Sequence, residues 1–287
     1  MSQFKRAQRK QAKLKLAITG PTGSGKTYSA LRLFKGFGGK TALIDTENGS
    51  ASLYDDFEFD TCEITPPFTT EKYIKAIRDA IESGYDNLII DSLSHAWSGE
   101  GGILSRKEDF DSQRGGNSYA NWRMFTKEQE AFVTEIVQAP INMICTMRSK
   151  IEYVLESTDK GKMAPKKMGT KPIQRDNVEY EFTTVFDVQS THKCSVSKDR
   201  TNLFRDAIFQ ITEETGSKLR DWLSGAKPVS TVSQDEEKNY ISKINEMKLK
   251  IKDPTKLQKI DEAIASCTKI GDLKNVANRL EKTVSMQ

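Results

Sequence analysis

A glycine-rich segment near the amino terminus has the residue spacing that most directly indicates a chemical function. It matches the pattern G-x-x-x-x-G-K-T with Gly20, Pro21, Thr22, Gly23, Ser24, Gly25, Lys26 and Thr27. Glycines let backbone N–H groups converge on phosphate oxygens, and a helix beginning after the loop adds a favourable dipole. In such a loop Lys26 reaches the β- and γ-phosphates, and the Thr27 hydroxyl holds Mg²⁺. The segment predicts a Walker A loop that contacts a nucleotide through residues 20–28, Tyr28 included.

Two carboxylates follow apolar runs further along the chain. Asp91 ends the run 88–90, as a Walker B residue does, and there it orders the waters of Mg²⁺. Glu47 comes just after the run 42–44, where it can accept a proton from a water that attacks the γ-phosphate. The alternative for Glu47 is an ordinary surface acid on a loop. The guanine-reading motif N-K-x-D is absent from the sequence, which disfavours a GTPase.

Apolar runs alternate with segments of helical periodicity through the first half of the chain. Strands are predicted at 14–19, 41–45, 88–91 and 141–146, and helices at 26–37, 71–82 and 117–138. Because the strands are apolar throughout, we expect a mostly parallel sheet flanked by helices on both faces, an α/β fold. After it, 149–177 is polar and lacks a period, and short strands at 180–188, 192–196 and 207–211 complete the sheet.

The polar segment 227–237 predicts a linker between two domains. We expect an ATPase core over 1–226 with a basic amino-terminal leader, and a small helical domain over 238–287. Asp253 and Pro254 mark the start of a helix in that tail.

Composition narrows the class of protein. Of the 287 residues, 36% are hydrophobic and 29% are charged, and the net charge is +4. Because no apolar run reaches membrane-spanning length, no membrane partner is expected. The four cysteines lack metal or disulfide spacing, which favours a reducing cytoplasm. His95 and His192 lack a ligand pattern and are interpreted as structural or surface residues.

The order GPTGSGKT, ALIDTE and LIIDS resembles that of the RecA-like recombination ATPases. With DNVEYEFTTVFDV and KDR downstream, the sequence looks closest to the compact phage RecA-like ATPases grouped with single-strand annealing proteins. The resemblance covers residues 13–226. It implies a RecA-like P-loop core, Mg²⁺-dependent hydrolysis of ATP, and Glu47 as the catalytic glutamate.

The resemblance also assigns roles to residues downstream of the fourth strand. Residues 144–150 look like the sensor strand that leads into a DNA-binding loop, with Thr146 or Arg148 nearest the sensor position. Lys198 and Arg200 resemble the Lys-x-Arg pair that enters a neighbouring subunit's active site, which implies an oligomer, a ring or a filament. The alternative for that pair is a charged end of a β-hairpin.

A basic segment, 157–175, falls where the resemblance places a DNA-contacting loop. With the preceding Arg148, its cations form the predicted DNA-binding set, namely Lys160, Lys162, Lys166, Lys167, Lys171 and Arg175. Binding through these cations would depend on salt. The mixed-charge loop 98–118 matches the position of a first DNA loop, although both segments are also compatible with solvated surface loops.

Together these patterns predict a DNA-dependent ATPase that binds single-stranded DNA as an oligomer and promotes annealing or strand exchange in phage recombination. Its setting would be the cytoplasm of a bacterial host. Its helical tail would contact a single-strand-binding or other recombination protein. The alternatives are a nucleotide-switched DNA-binding module with little turnover, and a ring motor of the DnaB type.

Overall fold

A computed structural model describes residues 12–114, 118–157, 163–205, 207–225 and 242–246, and the single positions 248, 260 and 276. The chain divides into two compact units, Met1–Lys227 and Pro228–Gln287. In the second unit 242–246 are helical and Ile244 is buried, while the predicted helix start at Asp253 lies outside the described residues. The predicted boundaries of linker and tail stay predictions.

A mostly parallel sheet forms the centre of the first unit. Its strands are β1 (Lys15–Gly20), β2 (Thr41–Asp45), β3 (Asp60–Glu63), β4 (Asn87–Asp91), β5 (Asn142–Ser157), β6 (Met163–Pro172), β7 (Thr184–Val188) and β8 (Cys194–Asp199). The order across the sheet is β3-β2-β4-β5-β1-β7-β8, and β6 pairs with the outer part of β5. The pairs β5–β6 and β7–β8 are antiparallel, and the other pairs are parallel.

Helices cover both faces of this sheet. They are α1 (Lys26–Phe37), α2 (Thr70–Glu82), α3 (Leu93–Ser98), α4 (Ile103–Arg114), α5 (Ser118–Gln138) and α6 (Glu213–Leu223). Alternate residues of the apolar strands face opposite sides, as strand geometry requires. Leu88 and Ile90 of β4 join a buried cluster with α2 and α5, whereas Ile89 joins a second cluster with α1 and α6. The predicted α/β layering is confirmed.

The register of β5 decides which residues meet at the carboxyl edge of the sheet. β5 lies between β1 and β4, with Thr146 level with Ile18 and Cys145 level with Ile90. Because parallel strands end at the same edge, the loops after β1, β2 and β4 converge there with the middle of β5.

At the opposite edge, buried polar side chains form hydrogen bonds with backbone groups near the starts of the strands. The Lys15 ammonium donates to the carbonyls of Ala139 and Ile141, each at 2.9 Å. Burial lowers the pKa of Lys15 to about 8. Asn142 accepts from the Leu14 N–H and donates to Asn87, so the buried polar groups at this edge are paired with one another.

Two polar segments are more regular than predicted. Residues 103–114 of the predicted loop 98–118 form α4, and β5 runs on to Ser157 and pairs with β6 as a hairpin within the predicted loop 157–175. The sequence did carry a signal for the outer part of β5, because Ile151, Tyr153 and Leu155 recur at every second residue, and the prediction of a polar loop overlooked it.

Two smaller predictions about strands were wrong, and one strand was missed. Residues 178–181 form a 3₁₀ turn, so β7 begins only at Thr184. The predicted strand 207–211 is reduced to an isolated bridge between Cys194 and Phe209. The edge strand β3 was not predicted because its residues are polar and all four are exposed.

In the described part of the chain, no helix is long and apolar enough to cross a bilayer.

Helices α1 and α6 approach each other closely at two glycines, Gly36 and Gly216. A Cβ on Gly216 would lie 1.9 Å from the Leu33 carbonyl oxygen, and one on Gly36 would lie 1.8 Å from the Glu213 carbonyl oxygen.

We predict that Gly216→Ala destabilises the protein by about 3 kcal/mol, since backbone atoms cannot rotate away from the added methyl. Urea unfolding measures the change, and Asp221→Ala on the exposed face of the same helix is the control. Equal stability of the two variants would contradict this packing.

Candidate active site

The loop between β1 and α1 has the backbone of a phosphate cradle. Gly23 and Gly25 adopt φ values of 73° and 83°, a region that disfavours other residues. A Cβ on Gly20 would lie 2.4 Å from the Val188 carbonyl oxygen, so neighbouring backbone also excludes a side chain there. The loop can therefore keep this path only with glycine at these positions.

Polar groups at this loop match what a phosphate needs. The Ser24 hydroxyl is buried and has no hydrogen-bond partner among the described residues. The Lys26 ammonium reaches back across the loop and donates to the Pro21 carbonyl at 2.9 Å. Burial lowers the pKa of Lys26, while the charges of Asp91 and Glu47 act to raise it. A half-buried cation beside a helix amino terminus suits an anion of the size of a phosphate.

Asp91 lies at the floor of the same site. Its carboxylate accepts a hydrogen bond from the Thr27 hydroxyl at 2.5 Å and another from the Thr146 hydroxyl. Burial raises the pKa of Asp91, and these two hydrogen bonds act in the opposite direction. Thr27, Asp91 and Thr146 are thus brought together, and the peptide bond that follows Asp91 is cis.

The donor set fits Mg²⁺ held jointly with a phosphate. Among the described residues no group of three or more His, Cys, Asp or Glu side chains could hold a metal ion by itself. A hydroxyl and one carboxylate leave most positions of an octahedral ion to phosphate oxygens and water, which is how Mg²⁺ is commonly bound.

The turn after β2 fixes the position of Glu47. Asp45 accepts hydrogen bonds from the N–H groups of Glu47 and Ala51, at 2.6 and 2.8 Å, so its carboxylate organises the turn. The Thr46 N–H donates to the Asp91 carbonyl at 2.7 Å and ties the turn to β4. Glu47 is therefore held at the same edge as Lys26 and Asp91.

Arg148 forms a two-point ion pair with Glu47. Its Nε donates to Oε1 at 3.0 Å, and its Nη2 lies 2.9 Å from Oε2. Burial acts to raise the pKa of Glu47, but the hydrogen bonds and charge of Arg148, with His95 and Lys26, leave it below its ordinary value. Arg148, predicted to bind DNA or to act as a sensor, is here a member of the nucleotide site.

His95 contributes to this site and was missed by sequence reasoning. Its Nδ1 lies 2.7 Å from the Thr46 hydroxyl, and its ring stacks on Phe68 with 4.8 Å between centroids. Burial lowers the pKa of His95, and the charge of Arg148 adds to that effect. Its position four residues after Asp91 was the available signal.

Aromatic rings and a second histidine border the phosphate loop. Tyr28, which is 44% exposed, contacts Tyr54 and Phe57, with ring centroids 6.0 and 5.4 Å apart. His192 places its Nδ1 3.1 Å from the Ser24 carbonyl oxygen. Of these residues that border the loop, only Tyr28 was predicted to contact a nucleotide.

Lys198 and Arg200 lie away from their own phosphate loop. Lys198 pairs in register with Val185 near the start of β7, whereas the phosphate loop follows the carboxyl end of the neighbouring β1. Lys198 donates to the Glu179 carbonyl at 3.1 Å and to that of Tyr180, and Arg200 donates to the latter at 3.3 Å. Both side chains therefore contact the turn 178–181 in this arrangement.

The remaining predicted DNA contacts belong to the β5–β6 hairpin and the segment after it. Lys171 pairs with Asp176 at 2.8 Å and lies 3.9 Å from Glu152, and Arg175 follows the hairpin. Lys166 and Lys167 are positions of β6. Lys160 and Lys162 fall outside the described residues.

Thr146 gives a direct test of the Asp91 geometry. We predict that Thr146→Val destabilises the fold by roughly 1–3 kcal/mol, because Asp91 loses a donor in a buried site. Thr184→Val is the matched control, since the Thr184 hydroxyl is equally buried and has no partner among the described residues. That control should be neutral or stabilising in urea unfolding. An equal loss in both variants would argue against the bond between Thr146 and Asp91.

Comparison with known proteins gives one family match and one likeness to a solved structure. The chain is 18% identical to a chain from a solved structure described as "Crystal structure of the RadB recombinase", with a TM-score of 0.39, over 71% of this chain and 90% of that one. No curated protein matches the chain. The family model described as "AAA domain" matches residues 12–220. The chain therefore belongs to the AAA domain family, and its mostly parallel sheet flanked by helices confirms the predicted α/β fold.

Proposed function

We propose that this protein hydrolyses ATP with Mg²⁺, and that single-stranded DNA stimulates the reaction. The observation that carries the proposal is the convergence of Lys26, Thr27, Asp91 and Glu47 at one edge of the sheet. A phosphate loop alone would support nucleotide binding only. A carboxylate held beside the loop adds a group that can take up a proton.

The chain's own residues divide the task between binding and proton transfer. Backbone N–H groups of the loop and the Lys26 ammonium bind the phosphates, which sets the direction of the γ-phosphate. Mg²⁺, when bound, neutralises negative charge on the phosphates. The Glu47 carboxylate accepts a proton from a water molecule while the water oxygen forms a bond to the γ-phosphorus. The bond between the γ-phosphorus and the β–γ bridging oxygen breaks, and that oxygen remains on ADP.

We further propose that Lys198 and Arg200 complete the site of a neighbouring subunit. Their distance from their own phosphate loop and the motif resemblance both support action in trans. Cations directed at the γ-phosphate would stabilise the charge of the transition state. The active protein would then be an oligomer, a ring or a filament.

The β5–β6 hairpin is the proposed contact with single-stranded DNA. It carries Lys166, Lys167 and Lys171, and it is continuous with the strand that holds Thr146 and Arg148. Lysines on such a hairpin would neutralise DNA phosphates. The resemblance to phage annealing-associated ATPases supports annealing or strand exchange in recombination as the outcome.

One observation favours a second candidate, a nucleotide-switched DNA-binding module with little turnover. Both oxygens of the proposed base are engaged by Arg148. If that pair persists when nucleotide and DNA are bound, Glu47 stays a weak base, and ATP would mainly set the conformation.

Replacement of Glu47 by Gln separates the two candidates. We predict that Glu47→Gln lowers the rate of ATP hydrolysis with single-stranded DNA by about 10²-fold or more and leaves ATP binding intact. Phosphate release is the measurement, and Glu63→Gln on the exposed edge strand β3 is the matched control. A slow wild-type rate that DNA and Glu47→Gln both leave unchanged would favour the switched module.

Mixing inactive variants tests the contribution in trans. We predict that Glu47→Gln and the double variant Lys198→Ala/Arg200→Ala are each inactive, yet regain part of the wild-type rate when mixed. In a mixed oligomer some interfaces combine an intact Glu47 with an intact Lys-Arg pair. Variants that co-assemble without any recovery would show that the pair acts elsewhere.

A further inference from the structure

Strand β7 and the turn that follows it, residues 189–193, lie beside the phosphate loop. The Thr19 hydroxyl, near the end of β1, donates a hydrogen bond to the Asp187 carboxylate near the end of β7. At the first residue of the loop, a Cβ on Gly20 would lie 2.4 Å from the Val188 carbonyl oxygen. The end of β1 and the start of the loop are therefore packed directly against β7.

His192 extends this contact to the far end of the loop. Its Nδ1 lies 3.1 Å from the Ser24 carbonyl oxygen. A carbonyl oxygen only accepts hydrogen bonds, so Nδ1 carries the hydrogen and donates it. A Cβ on Gly25 would lie 3.3 Å from the same Nδ1, so the imidazole lies against the peptide unit that joins Ser24 to Gly25. The side chain thus holds one particular peptide unit of the loop.

This hydrogen bond fixes the direction of the Gly25 N–H. The peptide unit is trans and planar, so its C=O and its N–H point in opposite directions. Because the Ser24 carbonyl is directed to the β7–β8 turn, the Gly25 N–H points away from that turn. In the order β2-β4-β5-β1-β7-β8, the strands that lead to Asp91 and Glu47 lie on the other side of β1. The N–H is therefore directed to the side where the phosphates are proposed to bind.

The peptide unit between Ser24 and Gly25 has little else to hold its direction. Gly25 has a φ of 83°, and glycine adopts positive and negative φ about equally well. The next carbonyl, that of Gly25, accepts from the Ser29 N–H at 2.9 Å and belongs to the first turn of α1. The Ser24 carbonyl precedes that turn. A donor from another element therefore stabilises one direction of the Gly25 N–H.

The backbone of His192 also indicates that the side chain is selected for this contact. Its φ is 61°, in the left-handed region that glycine adopts without steric cost. The turn closes through two backbone bonds, from the Gln189 N–H to the Lys193 carbonyl at 2.8 Å and from the His192 N–H to the Gln189 carbonyl at 2.9 Å. Glycine would satisfy both bonds, so the turn by itself does not require an imidazole. The contact with Ser24 does require a donor.

We propose that His192 is a positioning residue for phosphate binding, which directs the Gly25 N–H to the nucleotide by donating to the Ser24 carbonyl. The N–H then makes a charge-assisted hydrogen bond to a phosphate oxygen. The imidazole acts through the loop and does not itself contact the nucleotide. This inference rests on the proposed function, because it takes residues 20–27 as the site that binds the phosphates of ATP.

The test compares calorimetric titration of ATP with Mg²⁺ into full-length wild type, His192→Gly and His192→Asn. His192→Gly keeps the left-handed turn but removes the donor, and it should weaken ATP binding by about three- to tenfold, the range of one hydrogen bond. Asparagine tolerates this φ and can place its amide nitrogen where Nδ1 lies, so His192→Asn should bind ATP within about twofold of wild type. Binding by His192→Asn as weak as that by His192→Gly would overturn the proposal.

Asn202→Gly is the matched control. Asn202 is exposed and has a φ of 59° in the loop after β8, so the change relieves the same backbone conformation at the other end of that strand. This variant should bind ATP as tightly as wild type. Urea unfolding checks that every variant is folded.

Inorganic tripolyphosphate distinguishes action through the loop from direct contact with the base or the sugar. If His192 orients a phosphate donor, His192→Gly should weaken tripolyphosphate, measured by competition against ATP, by the same factor as ATP. A loss confined to ATP would overturn the positioning role.

Failure of this inference and failure of the proposed function give different results. If wild type does not bind ATP, the proposed function fails first. If wild type binds ATP and His192→Gly binds it equally tightly, nucleotide binding stands and only the role of His192 is overturned.

Discussion

The placement of β5 between the phosphate-loop strand and the Asp91 strand is the constraint on which the site depends. Register with β1 puts Thr146 level with Ile18 and Arg148 level with Gly20. Side chains two residues apart on one strand point to the same face. One strand therefore supplies the hydroxyl that orients Asp91 and the guanidinium that holds Glu47, and then leaves the sheet as the hairpin.

The site balances two cations against two carboxylates in a partly buried space. Lys26 and Arg148 face Asp91 and Glu47, and burial is the largest influence on the pKa of Lys26, Asp91 and Glu47. A bound triphosphate would add several negative charges, so the pairings within this set must change when nucleotide enters.

Sequence reasoning predicted the parts of the site that local patterns encode. The loop 20–27, the strand ending at Asp91 and the position of Glu47 follow from short motifs, and the structure brings these residues together. The Glu47–Arg148 pair joins residues 101 positions apart in the chain, and no local pattern records such a contact. His95 was missed for a related reason, because its link to Thr46 depends on how the loops after β2 and β4 meet.

The polar elements were harder to predict than the apolar ones. Apolar periodicity identifies β1, β2 and β4, whereas the sequence of α4 is mostly polar and that of β6 is interrupted by Lys, Gly and Pro. Those two polar elements replace most of the loops at which DNA contact was predicted.

The central claim is that this edge of the sheet binds the phosphates of ATP together with Mg²⁺. Calorimetric titration of ATP into wild type and Lys26→Ala, each with Mg²⁺ and with chelator, tests it most directly. We expect wild type to bind ATP tightly only with Mg²⁺, and Lys26→Ala to bind at least about 10-fold more weakly, since a buried charge-assisted contact contributes roughly 1.5–3 kcal/mol. Equal affinity of the two proteins, or binding indifferent to Mg²⁺, would contradict the account.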